Sequence, residues 1–229
     1  MHIAILTGAG VSAESGLGTF RDKDGLWSQY DLAEVATPEG YARDPAKVLD
    51  FYNMRRANAR EATPNAAHHA LGRLCADGRH TVTLITQNID DLHEQGGVDA
   101  PVHIHGSLFS ALCTECGHRW PHRSDMSVAD ACPSCRTTGT VRPDIVWFGE
   151  IPYHMDECIA AIAGADLFVS IGTSGTVYPA AGFVEIAREA GVQTLELNLD
   201  ASGGRFDAVR EGAATEIVPE WVAETLAKA

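Results

Sequence analysis

The feature that most constrains this chain is a series of short Val-, Ile- and Leu-rich runs at residues 2–6, 81–86, 102–104, 166–171, 193–197 and 215–218. Runs of this length suit strands buried on both faces, and the stretches between them are long enough for the helical crossovers that parallel strands require. The pattern predicts an α/β chain built on a doubly wound, Rossmann-like parallel sheet. The segments just after the runs are equally regular: Thr7-Gly8-Ala9-Gly10, Gln87-Asn88-Ile89-Asp90, His105-Gly106-Ser107, Gly172-Thr173-Ser174 and Asn198-Leu199-Asp200. Parallel strands put their carboxyl ends on one edge of the sheet. These five clusters are therefore expected to meet in the crevice where open α/β sheets bind ligands.

Two stretches break the alternation and predict a smaller inserted domain, helical and zinc-binding, made of 31–69 and 108–142. The sheet domain then comprises 1–30, 70–107 and 143–229. Within the first stretch, Val48 to Arg60 reads as a helix. The second carries Cys113, Cys116, Cys132 and Cys135, two C-x-x-C knuckles separated by fifteen residues. That spacing can close a tetrahedron of thiolates around one zinc, and four thiolates leave no open position, so the metal is expected to be structural. A redox dithiol is the rival reading. Cys75 and Cys158 read as ordinary core or surface thiols.

Composition limits the partners. Seventeen Lys and Arg against thirty-one Asp and Glu give a formal charge of −14. Such a chain lacks the basic footprint for nucleic acid or an anionic membrane and favours cationic partners such as lysine-bearing segments. No run of eighteen apolar residues and no secretory leader is evident, which points to a cytoplasmic protein.

Gly8-Ala9-Gly10-Val11-Ser12-Ala13 fits the G-x-G-x-x-G/A pattern after a strand, and could open a helix whose amides face a pyrophosphate. Alone, a tight glycine turn without a ligand explains it as well. The adjoining Ser15-Gly16-Leu17-Gly18-Thr19-Phe20-Arg21-Asp22 adds small residues and then Phe and Arg, suited to a flap over a ligand.

Taken in order, Gly8 to Gly16 with Phe20-Arg21, Thr86 to Asp90, His105-Gly106, the four cysteines, Gly172-Thr173-Ser174 and Asn198-Leu199-Asp200 resemble the sirtuin family over nearly the whole chain. The resemblance implies an NAD-dependent protein lysine deacylase with NAD as co-substrate, one structural zinc, acylated lysine segments as partners and a monomer as the favoured state. In that family the acyl oxygen attacks the anomeric carbon and nicotinamide leaves. A histidine then deprotonates a ribose hydroxyl, and the products are free lysine and O-acyl-ADP-ribose. His105 matches the histidine. Gly8, Ala9, Gly10, Ser12, Ala13, Glu14, Gly18, Thr19, Phe20, Arg21, Trp27, Gln87, Asn88, Ile89, Asp90, Gly172, Thr173, Ser174, Asn198, Leu199, Asp200 and Ala214 match cofactor-binding positions. His68, His69, His93 and His103 read as structural or surface residues. ADP-ribosyl transfer to protein and a non-catalytic NAD-sensing zinc module stay open as alternatives.

Val146, Trp147, Phe148 and Gly149 resemble the segment that receives substrate as an added strand. Tyr52 and Arg55 share a helix face and resemble the Tyr-x-x-Arg pattern of sirtuins that remove succinyl and malonyl groups. A guanidinium fork and a phenol together suit a carboxylate-tipped acyl chain. Arg56 beside them reads as solvated. The chain starts almost at its first strand, so the family's leading helix is expected to be absent or trimmed. Leu17-Gly18-Thr19 replaces the more frequent Ile-Pro-x before Phe-Arg, a change expected to loosen the flap without abolishing activity.

Overall fold

The computed structural model describes residues 1–18 and 30–228. The chain opens with β1 (His2–Thr7) and α1 (Gly10–Ala13), then runs through α2 (Leu32–Val35), α3 (Pro38–Arg43), α4 (Pro45–Glu61) and α5 (Ala66–Ala76). Next come β2 (Thr81–Thr86), α6 (Leu92–Gln95), β3 (Val102–His103), β4 (Gly106–Cys113), β5 (Arg119–Pro121) and β6 (Val141–Ile145). The last part holds α7 (Met155–Ala163), β7 (Leu167–Ile171), α8 (Phe183–Glu189), β8 (Gln193–Asn198), β9 (Ala208–Glu211) and α9 (Ala214–Ala227). Among the described residues, no helix is long and apolar enough to cross a membrane.

Six strands form one sheet in the order β3-β2-β1-β7-β8-β9, every neighbouring pair parallel. β1 shows why both faces are covered. Ile3 and Ile5 point to a core shared with Ala67, Leu71 and Leu74 of α5 and Val218, Trp221 and Val222 of α9. Ala4 and Leu6 point to the opposite core, with Cys158 and Ile162 of α7 and Phe183 and Ala187 of α8. Every second residue therefore serves a different layer, and the strand reads as a continuous apolar run. Thr7 is level with Thr86 on one side and Ile171 on the other, so three strands release their loops at one height. The strand order reverses between β1 and β7, which fixes the crevice there.

The run at 215–218 is not a strand. Ile217, Val218, Trp221, Val222 and Thr225 repeat at helical spacing and lie in α9, and the sixth strand is β9, a mostly exposed edge strand with only Val209 as a large apolar residue. The crossing between domains also falls differently from the expectation. α5 begins at Ala66 and buries Ala67 in the sheet's core, so the chain has joined the large domain before residue 70.

The smaller module combines α2, α3 and α4 with an antiparallel sheet in the order β5-β4-β6, which takes in residues from Gly106 to Ile145. Phe51 and Tyr52 of α4 pack with Leu108, Phe109, Ile145 and Trp147, while Leu49 meets Ala111, Met126 and Val141.

Arg56 corrects the sequence reading. It is fully buried, because its guanidinium is used up as a clamp. Nε donates to Leu108 O at 2.8 Å, one terminal nitrogen to Asn53 Oδ1 at 2.8 Å, and the other faces Met126 Sδ at 3.5 Å. Asn53 in turn exchanges two hydrogen bonds with the Met126 backbone, each of 2.8 Å. Burial pulls the Arg56 pKa down to about 10, still well above neutrality. One charged side chain thus joins α4 to β4 and to the loop before the second cysteine pair. Arg56→Met, of similar bulk, should lower unfolding free energy by about 1–3 kcal/mol, because Leu108 O and Asn53 lose their donor in a dry site; an unchanged denaturant midpoint would show that the clamp carries no stability.

Candidate functional site

At the carboxyl edge the β1 and β7 loops lie directly on each other. Gly8 N donates to Ile171 O at 3.0 Å, Gly10 N to Gly172 O at 2.9 Å and Gly172 N to Leu197 O at 3.0 Å. A Cβ on Gly8 or Gly10 would stand 2.8 Å from Gly172 O, and one on Gly172 would stand 2.6 Å from Val11 N. Side chains do not fit there, and Gly172 also has φ +60°. The glycines of the G-x-G pattern therefore let two turns touch, with the amides of Gly8, Gly10 and Gly172 bonded across the contact and to β8. The helix after them is a single turn, shorter than the dinucleotide pattern suggests.

His105 sits just before β4, half-buried. Its Nδ1 lies 3.1 Å from Gln87 O. A carbonyl only accepts, so the neutral ring carries its hydrogen on Nδ1 and its lone pair on Nε2. Burial lowers the His105 pKa, and the Gln87 bond opposes this only in part. The ring is thus a neutral base with Nε2 unpartnered among the described residues. Gln87 and Asn88 leave β2 beside it, with Gln87 N bonded to Thr7 O at 2.9 Å and Asn88 N to Thr86 Oγ1 at 3.0 Å.

His103 behaves in the opposite way. Its two nitrogens face Asn88 O and Glu94 Oε1, each at 2.9 Å; desolvation lowers its pKa, but Glu94 and Asn88 outweigh this and raise it, favouring the doubly protonated ring. Beneath the loop, Ser12, Asn88 and Asp90 are buried together, and the side chains of His68 and His93 lie buried under them. Desolvation by burial is the largest influence on Asp90 and raises its pKa. His68 and His93 are therefore interior residues beside candidate cofactor positions. The sequence does carry a signal for His68: Asn65 followed three residues later by His68 forms a capping box at the start of α5.

On the other side of the crevice, Asn198 Nδ2 donates to Thr173 O at 2.8 Å and to Glu196 Oε1 at 3.1 Å. The second Glu196 oxygen is buried with no hydrogen-bond partner. Ser174 Oγ lies 2.7 Å from Thr176 Oγ1, while Leu199 and Asp200 are exposed at the rim. Glu14 uses both carboxylate oxygens on Thr215 at 2.7 and 3.1 Å, which fastens α1 to the start of α9 beside Ala214. Ala9 is half-buried, Ala13 and Gly18 are exposed, and Ile89 is buried against the small module. Thr19, Phe20, Arg21 and Trp27 lie outside the described residues.

The small module brings Tyr52 and Arg55 together beside the crevice. Tyr52 is buried, its oxygen accepts a 2.9 Å bond from Trp147 Nε1, and burial raises its pKa. Burial lowers the Arg55 pKa, while Tyr52 and Asp90 raise it. Trp147 is itself fixed: the Arg142 guanidinium lies 3.4 Å from its ring centroid and pairs with both oxygens of Glu150, at 2.8 and 2.9 Å. Residues 146–150 run as an irregular turn, not a strand. Val146 N is bonded to His105 O, Phe148 N to Ala36 O and Trp147 N to Glu150, so these donors are already engaged. Phe148 and Gly149 are exposed.

The four cysteine sulfurs lie within 4.8 Å of one another, with Cys113–Cys135 and Cys116–Cys132 both at 3.7 Å. A tetrahedral zinc with Zn–S bonds of about 2.3 Å sets sulfurs about 3.8 Å apart, so the thiolates fit that ion. Cys75 and Cys158 lie elsewhere, and burial raises both thiols to about 11. The purified protein should carry about one zinc per chain, and Cys116→Ser should lose it and open β4–β6 to hydrogen exchange while β1, β2 and β7 stay protected; full protection without metal would contradict a structural ion.

Residues 8–179 match the Sir2 family. An NAD-dependent protein deacylase of Caulobacter vibrioides is 54% identical, covering 100% of this chain and 98% of its own. A mutant Sir2 homologue solved with ADP-ribose has a TM-score of 0.91 at 37% identity, over 99% of this chain and 92% of that one. A Sir2 homologue–NAD complex has a TM-score of 0.89 at 38% identity, over 99% and 90%. The chain belongs to the Sir2 family.

Proposed function

We propose that this protein is an NAD-dependent protein lysine deacylase that removes acetyl and succinyl groups, and malonyl groups by the same contacts. The observation that carries the reading is His105, a neutral imidazole at the crevice with its Nδ1 hydrogen held by Gln87 O and its Nε2 lone pair available. Such a ring can take a proton from a hydroxyl without first losing one. NAD and ADP-ribose appear in the complexes of the structural relatives, and the deacylase activity in the name of the Caulobacter protein.

The residues present suit NAD. The side-chain-free glycine turns would let a pyrophosphate approach the backbone at the crevice, and the orphaned Glu196 oxygen below Asn198 is an acceptor without a donor. Gln87, Asn88 and Asp90 would orient the nicotinamide ribose and carboxamide, and Asn198 and Asp200 the adenine ribose. When bound, NAD supplies an anomeric carbon whose nicotinamide can leave. His105 Nε2 would accept the ribose hydroxyl proton, and burial keeps that nitrogen unprotonated between turnovers. The end products on this reading are nicotinamide, free lysine and O-acyl-ADP-ribose.

The acyl preference rests on Tyr52 and Arg55. With Trp147 donating to the phenol oxygen, the Tyr52 hydrogen is left to point at an acceptor, and Arg55, hydrogen-bonded to the same Tyr52, sets a guanidinium beside it. The acyl group of succinyl-lysine ends in the carboxylate that such a receptor binds.

Purified protein, NAD and matched acetyl- and succinyl-lysine peptides test both parts. Wild type should remove both groups, and His105→Ala should lower turnover by about 10²-fold or more. Tyr52→Phe combined with Arg55→Met should cut kcat/KM for succinyl at least about tenfold more than for acetyl, since each charge-assisted bond is worth about 1.5–3 kcal/mol. Equal losses would reject the carboxylate receptor, and unchanged turnover in His105→Ala would reject the base.

A further inference from the structure

Three side chains converge on one buried hydroxyl. Ser12 Oγ lies 3.1 Å from Asn88 Nδ2, 3.4 Å from His68 Nε2 and 3.3 Å from Asp90 Oδ2. A serine hydroxyl has one hydrogen and two lone pairs, so the directions of these bonds decide how the three neighbours are held.

They are decided on the far side of His68. Its Nδ1 receives the backbone N–H of Asn65 at 3.2 Å. A backbone nitrogen can only donate, so Nδ1 carries a lone pair and the neutral ring carries its hydrogen on Nε2, where it donates to Ser12. Asn88 donates to the same oxygen. With both lone pairs filled, the Ser12 hydrogen has one acceptor, Asp90 Oδ2, and the other Asp90 oxygen takes Leu92 N–H at 3.1 Å. A protonated Asp90 cannot donate to Ser12, whose accepting capacity is full.

Asn65 is itself fastened at every polar atom. Its Oδ1 accepts from Ala67 N and His68 N, and its Nδ2 donates to Val11 O at 2.9 Å and Ser15 Oγ at 3.0 Å. The start of α5 and the single turn of α1 are thus one hydrogen-bonded unit. His93 packs on His68 with ring centroids 5.0 Å apart and sends its Nε2 to Thr7 Oγ1 at 2.9 Å.

We propose that His68 is a positioning residue: as the Nε2–H tautomer it turns the Ser12 hydroxyl toward Asp90 and so holds Asn88 and Asp90 in the orientation that receives NAD. This rests on the NAD reading of the crevice. The ring stays neutral because burial draws its pKa down to about 4, with His69 pushing the same way. A second proton would have to sit on Nδ1, against the Asn65 N–H.

Two substitutions separate positioning from capping. The Gln amide nitrogen stands as many bonds from the backbone as Nε2 of His, so His68→Gln keeps a donor for Ser12 and loses the acceptor for Asn65. His68→Asn does the reverse, because its Oδ1 matches Nδ1. Binding of NAD by calorimetry should be weakened about tenfold in His68→Asn and only a few-fold in His68→Gln, the scale of one buried hydrogen bond, while thermal stability should run in the opposite order. Equal affinities in the two variants, or tighter binding by His68→Asn, would overturn the proposal. Should either variant fail to fold, the ¹⁵N spectrum of the wild-type imidazoles decides: His68 is expected with protonated Nε2 and bare Nδ1 at neutral pH, and a hydrogen on Nδ1 would overturn the assignment. A wild type that binds no NAD but shows this tautomer would sink the cofactor reading and leave the hydrogen-bond directions standing.

Discussion

The contact on which the site depends is between two turns of bare backbone. Gly10 donates to Gly172 across the point where the strand order reverses, and no Cβ can be placed on Gly8, Gly10 or Gly172 without meeting backbone below 3 Å. That closeness brings the loops after β1 and β7 to one level with the loop after β2. The G-x-G pattern is commonly read as room for a pyrophosphate; here the first need it meets is the packing of one turn on another.

Around that contact the polar groups are arranged by what their partners can and cannot do. Backbone carbonyls and amides have fixed roles, and three histidines sit in three different hydrogen-bonding settings. Gln87 O puts the hydrogen of His105 on Nδ1, Asn65 N puts that of His68 on Nε2, and the pair Asn88 O and Glu94 favours a hydrogen on each nitrogen of His103. The residue type is the same in each case, and the groups beside it select the chemistry: main chain alone for His105 and His68, main chain with the Glu94 carboxylate for His103. The small module is held in a comparable way. Arg56 ties α4 to β4, and Arg142 with Glu150 fixes Trp147, which then fixes the Tyr52 hydroxyl.

Much of this is legible in the residues. β1 and β7 carry apolar side chains on both faces and read as nearly continuous runs, β2 and β8 keep shorter apolar segments at Leu84-Ile85 and at Leu195 and Leu197, and the Cys spacing reports knuckles that are local in sequence. β9 is hidden because an edge strand need not be apolar, and Ala208-Val209-Arg210-Glu211 gives no run. Ile217-Val218 resembles a strand because a buried helix and a buried strand share short apolar segments; Trp221 and Thr225 at helical spacing resolve it. Arg56 reads as solvated because an arginine is seldom buried, and only the three-dimensional placement of Leu108 O, Asn53 and Met126 shows its partners. The depth of His68 is marked only by its place in the Asn65 cap, whose purpose depends on α1 lying against it.

On this reading the crevice couples loss of an acyl group from lysine to cleavage of NAD. The direct measurement of that coupling is the ratio of nicotinamide released to acyl-lysine lost in one reaction with purified protein, monitored by mass. One nicotinamide is expected for each acyl group removed, with no acyl group lost when NAD is omitted. Acyl loss without NAD, or nicotinamide release with the acylated peptide intact and ADP-ribose left on protein, would contradict it.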